Sequence, residues 1–260
     1  MEADMNGLTR RGLLQAGGMA LAGAGVPRLA RAAVPATGGC LLCREAQRLR
    51  RGGRLGMVAD SDADPEIYTS SGDTETDHVL GLALRRLAET FRVSPGFAFF
   101  DDSRGHNAFA TERSLLKGGE RTVMMGKGLF IEQMREDHDM GTTVIAICAH
   151  EFGHIYQFAY GQHARLAELD RTVRPIELHA DFLAGYYLAL RHNAKAQLDL
   201  QAVGRVFYEL GDTDFNDRGH HGTPEERSRA ITGGYAFGKD RDADIDDASR
   251  AGVALVHRML

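Results

Sequence analysis

Two histidines and three carboxylates of this chain stand at intervals that let them gather round one metal ion. His150, Glu151 and His154 fall in HEFGH, and Glu177 and Asp181 fall in ELHAD further along. On an α-helix, residues four apart differ by about 40° in azimuth and about 6 Å in rise. His150 and His154 therefore project from one face and aim their imidazoles at one point, as two ligands of a tetrahedral zinc must. Glu151 sits one step round, close enough to reach a metal-bound water without ligating the metal, where it can serve as general base. Glu177 can complete a two-His, one-Glu set for one Zn2+ per chain, leaving a fourth position for water. Asp181 can accept the distal N–H of a ligand histidine and fix its tautomer. His179 points away from that face and reads as structural.

A five-residue pattern arises by chance, so the elements that carry it matter. Val144, Ile145, Ile147, Cys148, Phe152, Ile155 and Phe158 make the HEFGH segment apolar nearly all round, the mark of a buried helix. Burying imidazoles and a carboxylate without partners costs about 2–7 kcal/mol per group, and a metal removes that cost. Ile176, Leu178, Phe182, Leu183 and Tyr186 crowd Glu177 and Asp181 in the same way. The first helix is entered near Gly141 and closes near Gly161, and Pro175 suits the first turn of the second. Upstream, Val79, Leu82, Leu87 and Phe91 predict an amphipathic helix from Glu75, broken at Ser94-Pro95-Gly96. Three strand-like pieces follow at 97–102, 107–112 and 121–130, and IEQMRED begins another helix. Downstream, KAQLDLQAVGRVFYEL predicts a helix ending at Gly211. TPEERSRAITGGY predicts a short one with Thr223 as N-cap, Pro224 in the first turn and Glu226 three residues after the cap. The expected architecture is α+β, a small mixed sheet packed on a mainly helical body with the HEFGH helix central.

The 260 residues, 43% hydrophobic and 26% charged, suit one large or two small domains. The net charge of −5 and the short basic cluster Arg48, Arg50, Arg51 and Arg54 give no footprint for nucleic acid. Residues 1–32 carry Arg10-Arg11, a Gly/Ala-rich apolar stretch from Leu13 to Val26, and Ala30-Arg31-Ala32. This reads as a twin-arginine-like export signal, too short and glycine-rich to span a membrane, and implies a periplasmic protein without a membrane span once it is removed. Residues 33–73 read as an irregular linker or lead-in able to serve as a propeptide. In that segment Cys40 and Cys43 can form a local disulfide in an oxidising compartment. No second Cys pair exists for a zinc knuckle, no His follows Cys43 for haem, and Thr-Gly-Gly poorly suits lipid attachment at Cys40. Cys148 reads as a small buried hydrophobe. The run KDRDADIDDASR, in a separate C-terminal piece (239–260), reads as a solvated linker into a short final helix, without the spacing of a calcium loop.

HEFGH followed by ELHAD resembles the gluzincin metallopeptidases, in particular the family of the type I CAAX prenyl proteases and the bacterial heat-shock membrane protease, with their soluble periplasmic relatives. NAFAT at 107–111 with RTVMMGKGLF after it resembles the edge-strand region that precedes the zinc helix there. His221-Gly-Thr-Pro-Glu-Glu-Arg227 resembles the family's His…Arg element. The resemblance covers roughly residues 75–235 and departs at Gly222, where the family commonly has Pro, and in the absence of transmembrane helices. Gly222 is similar to the soluble neutral zinc metallopeptidases, which also pair HExxH with an ExxAD-type helix. The resemblance implies a zincin-like catalytic domain over 74–238, a zinc metalloendopeptidase acting on polypeptides. In it His150, His154 and Glu177 hold zinc and Glu151 is the base, while His221 donates to the oxyanion and Arg227 orients the site or pairs with a carboxylate. The strand of Arg121, Thr122, Val123, Met124 and Met125 would take the substrate backbone as an added strand. The alternative is a zinc-stabilised, non-proteolytic binding or chaperone-like protein. Glu151 argues against it, because a structural zinc needs no base and usually has four protein ligands.

Overall fold

The computed structural model describes residues 67–103, 105–116, 120–136, 141–194, 198–239 and 242–260; the expected export signal and the Cys40–Cys43 pair lie outside them. Short β-branched and aromatic runs form four strands: β1 (Ile67–Tyr68), β2 (Gly96–Phe100), β3 (Ala108–Thr111) and β4 (Thr122–Gly126). Their order is β1-β2-β4-β3, with β1 antiparallel to β2, β2 parallel to β4 and β3 antiparallel to β4. The two-residue period of a strand sends Val123 and Met125 into the main core. It sends Met124 into a smaller cluster with Ala98, Phe100, Phe109 and Leu115 on the other face. β1 lies inside the segment expected to be an irregular lead-in.

Two expectations fail here. The third strand does not run to 130, because helix α2 (Lys127–Glu136) begins directly after β4. The carboxylate of Asp102 accepts from the backbone N–H of Gly128 (2.6 Å) and of Leu129 (3.0 Å). It thus caps α2 from a distant loop, a signal absent from the local sequence. Nor can β4 receive a substrate strand. β2 occupies one of its edges and β3 the other, and every residue from Thr122 to Gly126 is buried. Arg121, Thr122, Val123, Met124 and Met125 are therefore scaffold, and the outer strands are β1 and β3, the latter formed by the last four residues of NAFAT.

The remaining helices are α1 (Thr74–Phe91), α3 (Thr142–Ala159), α4 (Gln162–Ala167), α5 (Arg174–Asn193), α6 (Leu200–Glu209), α7 (Pro224–Gly238) and α8 (Ile245–Met259). α3 is the HEFGH helix, and each of its residues from Thr142 to Phe158 is buried, as its all-round apolar surface demands. Gly161 has the left-handed conformation (φ 67°) and starts the short α4, which the sequence reading did not separate. α5 and α7 touch backbone to backbone. A side chain at Gly185 would strike the carbonyl of Ile231, and one at Gly234 that of Phe182. The expected capping box at Thr223 and Glu226 is present, and α7 runs on to Gly238. The aspartate-rich run is less a linker than a helix start. Asp244 and Asp247 make a second reciprocal capping box, and Arg92 binds Asp244 (3.0 Å) and Asp246 (2.9 Å). α8 is 15 residues long and seats Gly252 against His179 and Phe182 of α5. Among the described residues no helix is long and apolar enough to cross a membrane.

Candidate metal centre

α3 supplies His150 and His154 from one face, and α5 lays Glu177, in its first turn, against them. Nε2 of His154 lies 3.0 Å from Nε2 of His150. Glu177 approaches with Oε2 3.3 Å from His150 Nε2 and Oε1 3.5 Å from His154 Nε2. These three buried residues form a group that could hold a metal ion. The distances fit one: ligands bonded at 2.0–2.1 Å around a tetrahedral ion stand about 3.3 Å from one another.

The electrostatics agree with the geometry. Burial pushes the His150 imidazole down, but Asp181 and Glu177 outweigh it and raise its pKa to about 10. Burial likewise opposes ionisation of Glu177, yet His154 and His150 hold it well below the usual carboxylate range. Such a convergence of electron pairs demands a cation, either a proton or a metal.

Behind the group, Asp181 faces His150 Nδ1 at 2.8 Å, close in distance although the ring N–H is not well aligned with the oxygen. The same carboxylate receives a two-pronged contact from Arg227, Nε to Oδ2 at 2.8 Å and Nη2 to Oδ1 at 2.7 Å. Arg227 also donates to Leu210 O (3.2 Å) and passes 3.8 Å from Glu177. Phe207 of α6 covers both layers, its ring centroid 5.9 Å from that of His150 and 5.8 Å from the Arg227 guanidinium carbon. Glu151 is 5% exposed, and its Oε2 has no hydrogen-bond partner. Burial raises its pKa against the pull of His150 and His154. Cys148 is buried and unpaired, its thiol pushed up by burial.

His221 lies on the turn before α7, a quarter exposed, and contributes to holding the Glu177 carboxylate ionised. Asp212 organises this turn. Its carboxylate accepts from the backbone N–H of His221 (2.8 Å), faces His221 Nδ1 at 3.4 Å and pairs with Nδ1 of the buried His220. Its own N–H donates to Gly222 O. Gly222 has φ 102°, which proline, fixed near −65°, cannot adopt.

Three neighbours escaped the sequence reading. Phe207 and Asp212 have no local signal, since their place depends on how α6 and its following loop fold back. Gln157 did have one: it stands three residues after His154, a lone amide in an apolar run. Its Oε1 lies 2.9 Å from His154 Nδ1, and its Nε2 reaches Ile176 O (2.8 Å) and Nδ1 of His179 (3.1 Å). His179 is thus tied to the centre, and burial lowers its pKa to about 4.

Compared with known proteins, the chain matches no family model, and no curated protein or solved structure matches it significantly. Fold and site together define a class by geometry alone. It is a mixed α+β protein, mostly helical, with a small four-stranded mixed sheet and a buried two-His, one-carboxylate group able to hold a metal ion.

Proposed function

We propose that the chain is an exported zinc metalloendopeptidase of the gluzincin type. The observation that carries this reading is Glu151, a buried carboxylate with an unpartnered oxygen, one step round the helix from a three-ligand group. Three nitrogen and oxygen ligands with a free position suit a catalytic zinc, whereas structural sites are usually closed by a fourth side chain. When bound, zinc supplies Lewis-acid chemistry, acidifying water and polarising a carbonyl. Glu151 takes the proton of the attacking water at its free carboxylate oxygen and passes it to the leaving amine. His221 has Nδ1 facing Asp212, and in its imidazolium form its other ring nitrogen also carries a proton, to be donated to the carbonyl oxygen as charge develops there. Arg227 neutralises Asp181 so that the carboxylate stays ionised beside His150.

Purified wild type and Glu151→Gln, each with zinc measured, are compared on an unfolded protein such as casein. Both should hold one zinc per chain, and the variant should cleave about 10²–10⁴-fold more slowly. Equal zinc with equal cleavage removes Glu151 as the base. Absence of zinc from both removes the reading itself.

A further inference from the structure

We infer that a buried hydrogen-bond relay, running from the C-terminal helix α8 through His179 and Gln157, sets the tautomer of His154 and so aims its Nε2 at the metal. This rests on the metal-site reading above. Its four members, His154, Gln157, His179 and Ser249, are all buried. The polarity of the relay follows from what each group is able to donate.

A backbone carbonyl can only accept, and there is one at each fixed point. Ile176 O lies 2.8 Å from the Gln157 side chain, and Ser249 O lies 3.1 Å from Nε2 of His179. The atom of Gln157 facing Ile176 O must therefore be the amide nitrogen, because the reverse orientation sets two oxygens against each other. That nitrogen also faces His179 Nδ1 at 3.1 Å, so Nδ1 must accept and the ring proton must sit on Nε2, where Ser249 O receives it. The Ser249 hydroxyl stands beside the same nitrogen at 3.3 Å. With its nitrogen so engaged, Gln157 can offer His154 only its oxygen, 2.9 Å from Nδ1. His154 must then carry a proton on Nδ1, and its Nε2 lone pair is left for the metal. No link can be reversed without opposing two like groups in a dry interior.

Gln157 and His179 are thus positioning residues acting through His154, and α8 belongs to the metal centre although it supplies no ligand. The two metal histidines are held by different means. His150 faces a charged carboxylate backed by Arg227, and His154 faces a neutral amide whose orientation is fixed by two carbonyls.

The test reads ring tautomers directly, by long-range ¹⁵N–¹H NMR of the histidine side chains in metal-free and zinc-loaded wild type. His154 should carry a proton on Nδ1 in both forms, and His179 on Nε2 alone, with a coupling across the hydrogen bond from the Gln157 amide to His179 Nδ1. A bare Nδ1 on His154, or a proton on Nδ1 of His179, overturns the relay. Because the metal-free reading needs no zinc, it separates this inference from the proposed function. Zinc affinity by chelator competition supplies the second arm. Gln157→Leu keeps the bulk and loses the acceptor, and should weaken zinc about 10–100-fold. In metal-free Gln157→Leu the same NMR reading should show the His154 proton no longer confined to Nδ1. Wild-type zinc affinity in Gln157→Leu, or an unchanged His154 tautomer in it, would make Gln157 a packing residue and overturn its role.

Discussion

Arg227→Met isolates the charge balance of the centre. Arg227 is 3% exposed and makes two contacts to Asp181 at 2.7 and 2.8 Å, so the variant leaves a buried carboxylate facing an apolar side chain. Breaking a buried pair from one side costs about 3–5 kcal/mol. His150 Nδ1 remains 2.8 Å from Asp181, and its imidazole, raised to about 10, still carries a proton in the metal-free protein. That compensation places the expected loss at the lower end, about 3 kcal/mol. For a domain of this size it lowers Tm by about 6–12 °C. Calorimetry of the metal-free wild type, Arg227→Met, Asp181→Asn and the double variant closes the cycle. The double variant should be more stable than Arg227→Met alone, because removing the stranded charge removes its penalty. Acid unfolding supplies an independent sign. Asp181 is depressed below the ordinary aspartate value: burial alone would raise it, and Arg227 with His150 outweighs that burial. Its contribution is therefore present above that ordinary value and lost as pH falls through the folded one. Without Arg227 the folded value rises, and acid unfolding should begin at higher pH. A Tm drop of less than about 2 °C, or strictly additive losses in the cycle, would refute the reasoning.

The other expectations concern separate parts of the molecule. Asp212→Ala frees His220 and His221, and should lower casein turnover about tenfold or more while zinc content stays at one per chain; loss of zinc instead would assign Asp212 to the ligand set. Metal uptake should strengthen with pH. Below about 10 His150 holds a proton that the metal must displace, so affinity should rise about tenfold per unit between roughly pH 6 and 8. Titration calorimetry in buffers of different ionisation enthalpy should register close to one proton released from this residue, and a pH-independent affinity would contradict it. Asp102→Ala removes the cap of α2, which should cost about 1–2 kcal/mol and lower Tm by about 2–8 °C with metal uptake unchanged.

How much of this was legible in the sequence depends on the range over which each feature is encoded. The facing of His150 and His154 is a property of one helix, and four residues of spacing suffice to read it. The capping box at Thr223 and Glu226 is equally local. Glu177 is one step less local: its burial is readable from the apolar residues around it, but its approach to the histidines needs α5 to pack on α3. The features that were misread all depend on contacts distant along the chain. β4 looks like an edge strand in isolation and becomes interior because β2 pairs parallel to one of its edges while β3, which lies between them only in sequence, takes the other. Asp102 acts as a helix cap in a segment that contains none of that helix. The aspartates at the start of α8 are solvent-accessible as expected, yet two of them also bind Arg92, which is distant along the chain. Gln157 and His179 lie between these extremes. Each sits on a helix whose chemistry was recognised, yet Gln157 was passed over as a neutral amide with no charge to flag it, and His179 was read as structural because it points away from the ligand face. Their meaning comes from the carbonyls they face, and a carbonyl has no letter in the sequence. The ion-binding side chains of such a centre can be read from composition and spacing, while the groups that orient them are fixed by backbone atoms and need the fold.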